Sequence, residues 1–301
     1  MSVLVTGGSG FIGRHVVQKL VERGFKVRVF DFVKPSIEIP FFKGDIRDYD
    51  RIKEAVSGSD YVVHLAAIVS AVEAMEKPYD TVEINVIGTF NVAEACRRNG
   101  TEKLIYASSV AVYGEPRYLP IDEEHPLNPT NVYGATKLSG EAIIAGYHGN
   151  YGLKYTSLRF FNVYGPYMKS GPYSGVILSF LNRIKKGMPL KIEGDGKQTR
   201  DFVYVDDVAE SILKSIESEE VGPFNIGTGR ELSIIELANL LFKITGKETG
   251  LSFTDPRPGD IRRSRADISK ARSWLRWVPK FSIEDGLRLT TEWFLETYDH
   301  R

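Results

Sequence analysis

Thr6-Gly7-Gly8-Ser9-Gly10-Phe11-Ile12-Gly13 follows directly on an apolar stretch, Ser2–Thr6, and opens an amphipathic one over 11–23 that Gly24 closes. Buried strand, glycine turn and helix in that order leave few folds open. Gly7-x-x-Gly10-x-x-Gly13 lets the backbone come close to a pyrophosphate, and the helix N-terminus offers N–H donors and a positive dipole. Gly7, Gly10 and Gly13, with Phe11 and Ile12 between them, are therefore candidate cofactor-binding residues. Lys26–Asp31 alternates and reads as a second strand ending in a carboxylate. At that position Asp31 can hold the ribose hydroxyls of adenosine and repel a 2′-phosphate, which favours NAD over NADP. Asp45, in Gly44-Asp45-Ile46, can receive the adenine amino group or stand as a plain surface-turn aspartate.

The alternation continues downstream. Strands are expected at 39–44, 61–65, 103–108 and 154–160, and helices at 48–56, 82–98 and 133–147. Strand and helix in turn imply a doubly wound parallel Rossmann sheet with both faces covered. Past Asn162 the rhythm breaks at two Gly-Pro pairs. Short extended pieces at 190–196, 201–204 and 224–226 and helices at 233–244 and 283–297 make a smaller, mixed α/β C-terminal portion. The expected division is 1–162 for the dinucleotide and 163–301 mainly for the substrate, with about 201–226 returning to the first unit.

The 39 basic and 39 acidic residues balance, so no net field favours nucleic acid or an anionic membrane. No apolar run is long enough to span a bilayer. The single cysteine, Cys96, lies among apolar helix-like neighbours and reads as a core residue, which fits a reducing, cytoplasmic setting. Glu123, Glu124 and His125 sit beside prolines and read as a solvated loop, and no metal site is expected.

Chemistry enters with Tyr133-Gly134-Ala135-Thr136-Lys137. A tyrosine and a lysine four residues apart share a helix face, where the ammonium is expected to favour the phenolate and lower its pKa. Such a phenol can exchange a proton with an alcohol or sugar hydroxyl. Ser109 stands ready to hydrogen-bond the same oxygen. Tyr133, Lys137 and Ser109 are the candidate catalytic residues.

Together, the glycine turn, Gly44-Asp45, His64-Leu65-Ala66-Ala67, Tyr133-x-x-x-Lys137 and Arg159-Phe160-Phe161-Asn162 resemble the landmarks of the extended short-chain dehydrogenase/reductase superfamily. Gly194-Asp195-Gly196, Arg200-Asp201-Phe202, Asn225-Ile226-Gly227 and Arg257-Pro258-Gly259-Asp260 resemble its nucleotide-sugar branch. That resemblance implies bound NAD, touched also by Ile46, Leu65, Ala66, Ala67, Ser108 and Phe160, with His64 packed beneath it. It implies a UDP-sugar substrate held by Ser70, Ser109, Asn162, Val176, Arg200, Arg257, Asp260 and Ser264. A homodimer built on helices 82–98 and 133–148 is implied as well. Dehydratases and decarboxylases of the branch carry acids before the Val-Tyr-Gly turn, where this chain has Val110 and Ala111. Ser108-Ser109 followed by apolar residues resembles the hexose 4-epimerases, and the small Ser264 implies room for N-acetyl sugars. Other readings are an epimerase acting on nucleotide glucuronates, a net reductase and a non-catalytic NAD-binding sensor.

Overall fold

The computed structural model describes residues 1–169, 171, 174–256 and 260–298. Its centre is a seven-stranded, wholly parallel sheet. In chain order the strands are β1 (Ser2–Thr6), β2 (Lys26–Asp31), β3 (Phe41–Lys43), β4 (Tyr61–His64), β5 (Lys103–Ser109) and β6 (Lys154–Phe160). Spatially they run β3-β2-β1-β4-β5-β6, and the segment Gly222–Ile226 pairs beyond β6 as the seventh strand.

Strand geometry turns successive side chains to opposite faces. Val3 and Val5 of β1 accordingly join one apolar layer, with Val16, Val17 and Leu20 of the helix Phe11–Glu22 and Val208 and Ile212 of Val205–Glu217. Leu4 joins the other, with Ile52, Val92, Cys96 and Ile144 from the helices Tyr49–Val56, Gly88–Asn99 and Val132–Tyr151. Every residue of β5 is buried, because it lies inside the sheet under both layers. A third apolar cluster lies in the C-terminal half. It gathers the helices Val176–Lys185, Ile234–Thr245 and Ile283–Tyr298 around the parallel pair Leu190–Glu193 and Leu251–Thr254. Ser233 and Glu236 form a reciprocal capping box at the start of Ile234–Thr245.

Two helices, Val176–Lys185 and Val205–Glu217, stand where the sequence pattern suggests only loops and short extended pieces. The second carries a regular apolar stripe, Val205, Val208, Ala209, Ile212, Leu213 and Ile216, with Asp206, Lys214 and Glu217 on the other side, a helical signal that the strand-and-loop reading passes over. The helix expected over 82–98 is present but not α-helical throughout: Pro78–Val82 passes through a π-helical turn, Glu83–Ile87, into Gly88–Asn99. Asn85 lies inside that wide turn. Its Oδ1 accepts from the Ile68 amide at 2.9 Å, and its Nδ2 donates to the Ile68 carbonyl at 2.9 Å and to Thr136 Oγ1 at 3.0 Å. The π turn thus ties the loop after β4 to the Val132–Tyr151 helix.

Asp201 ties distant loops together. Fully buried, its Oδ1 accepts from the Thr228 amide and hydroxyl, both at 2.7 Å, and its Oδ2 from the Gly229 and Ala266 amides at 2.9 and 3.1 Å. Asp201→Asn turns a carboxamide NH2 toward donors that need an acceptor. The expected loss in urea unfolding free energy is roughly 3 kcal/mol. A loss under about 1 kcal/mol would show that this carboxylate is not the tie.

Candidate active site

At the end of β1 the chain packs so tightly that side chains are excluded. Gly7 adopts φ +71°, and a Cβ there would meet the Ala66 amide nitrogen at 2.7 Å. A Cβ on Gly13 would meet the Gly7 carbonyl oxygen at 2.1 Å. Gly10 differs: a Cβ on it would touch only the Gly7 oxygen, at 3.1 Å, so its outer side is open to an approaching phosphate. Asp31 accepts from the Ser9 amide at 3.0 Å and the Val33 amide at 3.1 Å, which leaves each oxygen free to accept again. Leu65, Ala66 and Ala67 follow β4, whose last residue, His64, is buried between Thr6 Oγ1 at 2.7 Å and Thr89 Oγ1 at 3.0 Å. Burial, and secondarily the Lys137 charge, push the His64 pKa down to about 3, so the ring stays neutral. Ile46 and Phe160 are buried near the C-terminal ends of the same sheet. Asp45 is engaged by Arg47, which donates to its Oδ2 from Nε at 2.9 Å and Nη2 at 2.6 Å and also reaches Glu83.

Two glycines bring the Val132–Tyr151 helix against β5. A Cβ on Gly134 would lie 2.4 Å from the Ala111 carbonyl oxygen, and one on Gly140 would lie 2.3 Å from the Tyr106 hydroxyl. Asn131 caps this helix by accepting from the Gly134 amide at 2.9 Å. Tyr133 and Lys137 therefore project at the end of β5, where Ser109 stands. Lys137 is buried and donates to the Ala107 carbonyl at 2.9 Å, and its Nζ is 6.0 Å from the centre of the Tyr133 ring.

The charge balance differs from the sequence expectation. Burial raises the Tyr133 phenol above its ordinary pKa, and the Ser109 hydroxyl, hydrogen-bonded to it, draws it part of the way back. Burial also lowers Lys137 to about 7, against the opposing pull of Glu141. Lys137 is turned to the Ala107 carbonyl, and the phenol is moved by burial and by Ser109 rather than by the lysine. Desolvation of both groups outweighs their attraction.

Beneath the serines lies a network that the motif reading omits. Glu141 accepts a short hydrogen bond from Ser108 and pairs with buried Arg159 at 2.7 Å. Arg159 donates to the Tyr113 hydroxyl at 2.8 Å, and that hydroxyl donates to Asn225 Oδ1 at 2.7 Å. Two signals for it exist in the sequence: Glu141 is one helical turn past Lys137, and Arg159 is a charge inside an apolar strand that demands a partner. The segment around Glu123 and His125 is docked rather than solvated. Glu123 accepts from the Asn225 amide at 2.7 Å, and burial raises its pKa. His125 is buried and accepts from the Arg117 amide at 2.9 Å. Among the described residues no cluster is suited to a metal ion.

The expected substrate residues are spread over several places. Arg200 and Asp260 pair with each other at 2.5 Å, and Arg200 also donates to the Ile261 carbonyl at 2.6 Å. Asp260 borders a cavity of about 580 Å³ with Gly194, Gln198, Thr254 and Arg262. Ser264 is not among that cavity's lining; it is 2% exposed, and its hydroxyl has no hydrogen-bond partner. Asn162 follows β6 and is half-buried, as is Val176 at the start of its helix. Ser70 caps the short helix Ala71–Glu76, accepting from the Glu73 amide at 3.2 Å. Arg257 lies outside the described residues.

Residues 3–227 match the model of the NAD dependent epimerase/dehydratase family, and the chain belongs to that family. A putative UDP-glucose 4-epimerase of Methanocaldococcus jannaschii is 40% identical over 97% of each chain. The crystal structure of UDP-glucose 4-epimerase with UDP-glucose from Thermotoga maritima matches with a TM-score of 0.94, at 39% identity over 99% of each chain. UDP-N-acetylglucosamine 4-epimerase from Methanobrevibacter ruminantium M1, in complex with UDP-N-acetylmuramic acid, also gives 0.94, at 35% identity over 98% of each chain. The cofactor is NAD, and the open Gly10 surface beside Asp31 suits its diphosphate and ribose. No helix among the described residues is long and apolar enough to cross a membrane.

Lys137 carries a pH signature. Its folded pKa, about 7, lies below that of an unfolded lysine, so between about pH 7 and pH 10 the unfolded chain binds more protons and stability rises with pH. Lys137→Met should raise the melting temperature by a few degrees near pH 6.5, with the gain shrinking toward pH 9.5. A gain that does not change with pH would rule out a buried, proton-losing lysine.

Proposed function

We propose that this enzyme inverts C4 of a UDP-hexose through a transient 4-keto sugar. The observation that carries the proposal is the joining of Tyr133, Ser109 and Lys137 at the end of β5, beside a turn, Val110–Val112, that offers no acid. When bound, NAD supplies a hydride acceptor and donor. Tyr133 takes the proton from the C4 hydroxyl as the carbonyl forms, and Ser109 hydrogen-bonds the same oxygen. The flat keto sugar turns over in the cleft, and Tyr133 returns the proton on the way to the epimer. Dehydratases and decarboxylases of the resembled branch carry acids at this turn, whereas Val110 and Ala111 can transfer no proton. Arg200, with Arg257 and Asn162, is assigned to the substrate diphosphate; Asp260 orients Arg200. The setting is cytoplasmic. A homodimer through the Gly88–Asn99 and Val132–Tyr151 helices fits the exposed Tyr79, Val82, Phe90 and Tyr151 along that flank.

Tyr133→Phe should keep the fold and the bound cofactor and lower turnover of UDP-galactose by roughly 10²–10⁴-fold. The wild-type product should be an isomer of unchanged mass. Loss of water or carbon dioxide, or stoichiometric release of NADH, would contradict the assignment.

N-acetyl sugars form the second substrate pair. Ser264 supports this reading by its small size; it is buried, and its hydroxyl has no hydrogen-bond partner. Ser264→Tyr should lower kcat/KM for UDP-N-acetylglucosamine by at least about tenfold more than for UDP-glucose, whereas Ser264→Ala should leave the ratio unchanged. Equal losses on both pairs in the tyrosine variant would sink the pocket assignment.

A further inference from the structure

We propose that Arg14 and Lys169 form a cationic clamp on the diphosphate of the bound dinucleotide, on the open side of the glycine turn. A cavity of about 310 Å³ lies between Gly10 and Phe11 on one wall and Tyr167, Lys169 and Trp293 on the other, and Arg14 lines it too. No carboxylate among the described residues borders it. Arg47, Arg97, Arg159 and Arg200 each hold an acidic partner. Half-buried Arg14 holds none among the described residues: its Nε donates to the Ser9 carbonyl at 3.1 Å, and no protein acceptor meets its two terminal nitrogens. Lys169 is exposed and likewise unpaired among the described residues.

The guanidinium is held in place. It lies 5.3 Å from the centre of the Tyr167 ring, which meets Trp293 edge-on at 5.8 Å and His15 at 5.6 Å. Tyr167 keeps a left-handed backbone, φ +69°, a conformation that costs a non-glycine residue on the order of 1 kcal/mol. His15 Nε2 lies 3.2 Å from the Pro166 carbonyl oxygen and anchors this strained segment to the first helix. Strain held by a stack that aims an unpaired cation into an acid-free cavity marks a place for an anion. The glycine turn gives a diphosphate only neutral N–H donors, so each phosphate charge still lacks a counter-charge; Arg14 and Lys169 supply one apiece. Reuse of the same cofactor in every turnover gives slow dinucleotide release its value.

The test is calorimetric binding of ADP, NAD and adenosine to wild type, Arg14→Gln, Lys169→Gln and the double variant, each stripped of nucleotide, with melting curves to establish that they fold. Each single change should weaken ADP and NAD by roughly tenfold, and the double change by more, while adenosine binds as before. Raising NaCl from about 50 to about 500 mM should weaken NAD binding less in the double variant than in wild type. Unchanged ADP affinity in the double variant would overturn the clamp, as would an equal loss for adenosine. Inorganic pyrophosphate quenching Trp293 fluorescence in NAD-saturated wild type would also overturn it, because the cavity would then be a separate anion site.

Discussion

The close contact between the Val132–Tyr151 helix and β5 sets the geometry of the reaction centre. Glycine at 134 and 140 lets helix and strand approach until the Ala111 carbonyl and the Tyr106 hydroxyl fill the space of the missing side chains. At that separation the Lys137 ammonium reaches the Ala107 carbonyl, and the Tyr133 phenol reaches Ser109. A methyl group on Gly134 would run into the Ala111 backbone, and one on Gly140 into the Tyr106 hydroxyl, so neither fits at this separation. Precise placement of this kind is worth more to a proton transfer than any single charge nearby.

Proximity has an electrostatic cost, and the chain offsets it one layer down. Burial works against ionisation of both Tyr133 and Lys137. Glu141, one turn further along the helix, restores part of the Lys137 charge and is itself held by Arg159 and Ser108. Continuing through Tyr113 and Asn225, the network reaches the seventh strand, so the serine pair is fixed from below by groups that never meet a sugar.

Much of this is legible in the sequence because it depends on local pattern. The glycine turn, the alternation of strand and helix and the Tyr133–Lys137 spacing each follow from steric or periodic rules acting over a few residues. What sequence reasoning misses depends on tertiary burial. Val205–Glu217 is the exception, since its apolar residues at 205, 208, 209, 212, 213 and 216 keep a plain helical period. The π turn at Glu83–Ile87 exists because Asn85 reaches Ile68 and Thr136, neither of them adjacent in sequence. Glu123 and His125 look solvated until Asn225 and Arg117 are seen to occupy them. The expected acidity of Tyr133 fails for the same reason: spacing gives the distance between two groups but not the loss of their solvent.

The pairing of Gly222–Ile226 with β6 orders events during synthesis. When β6 leaves the ribosome, one of its edges is a bare row of backbone donors and acceptors, and the strand that will cover it has yet to be made. Buried Lys103 of β5 is also waiting, because its three carbonyl acceptors, Ser215, Ser218 and Glu220, belong to that later segment. The nascent N-terminal half is thus an open sheet beside an unpartnered lysine until about residue 226 emerges. Completion of the dinucleotide platform is set by a late part of the chain, and a chaperone that shields that edge in the interval would guard against intermolecular strand pairing.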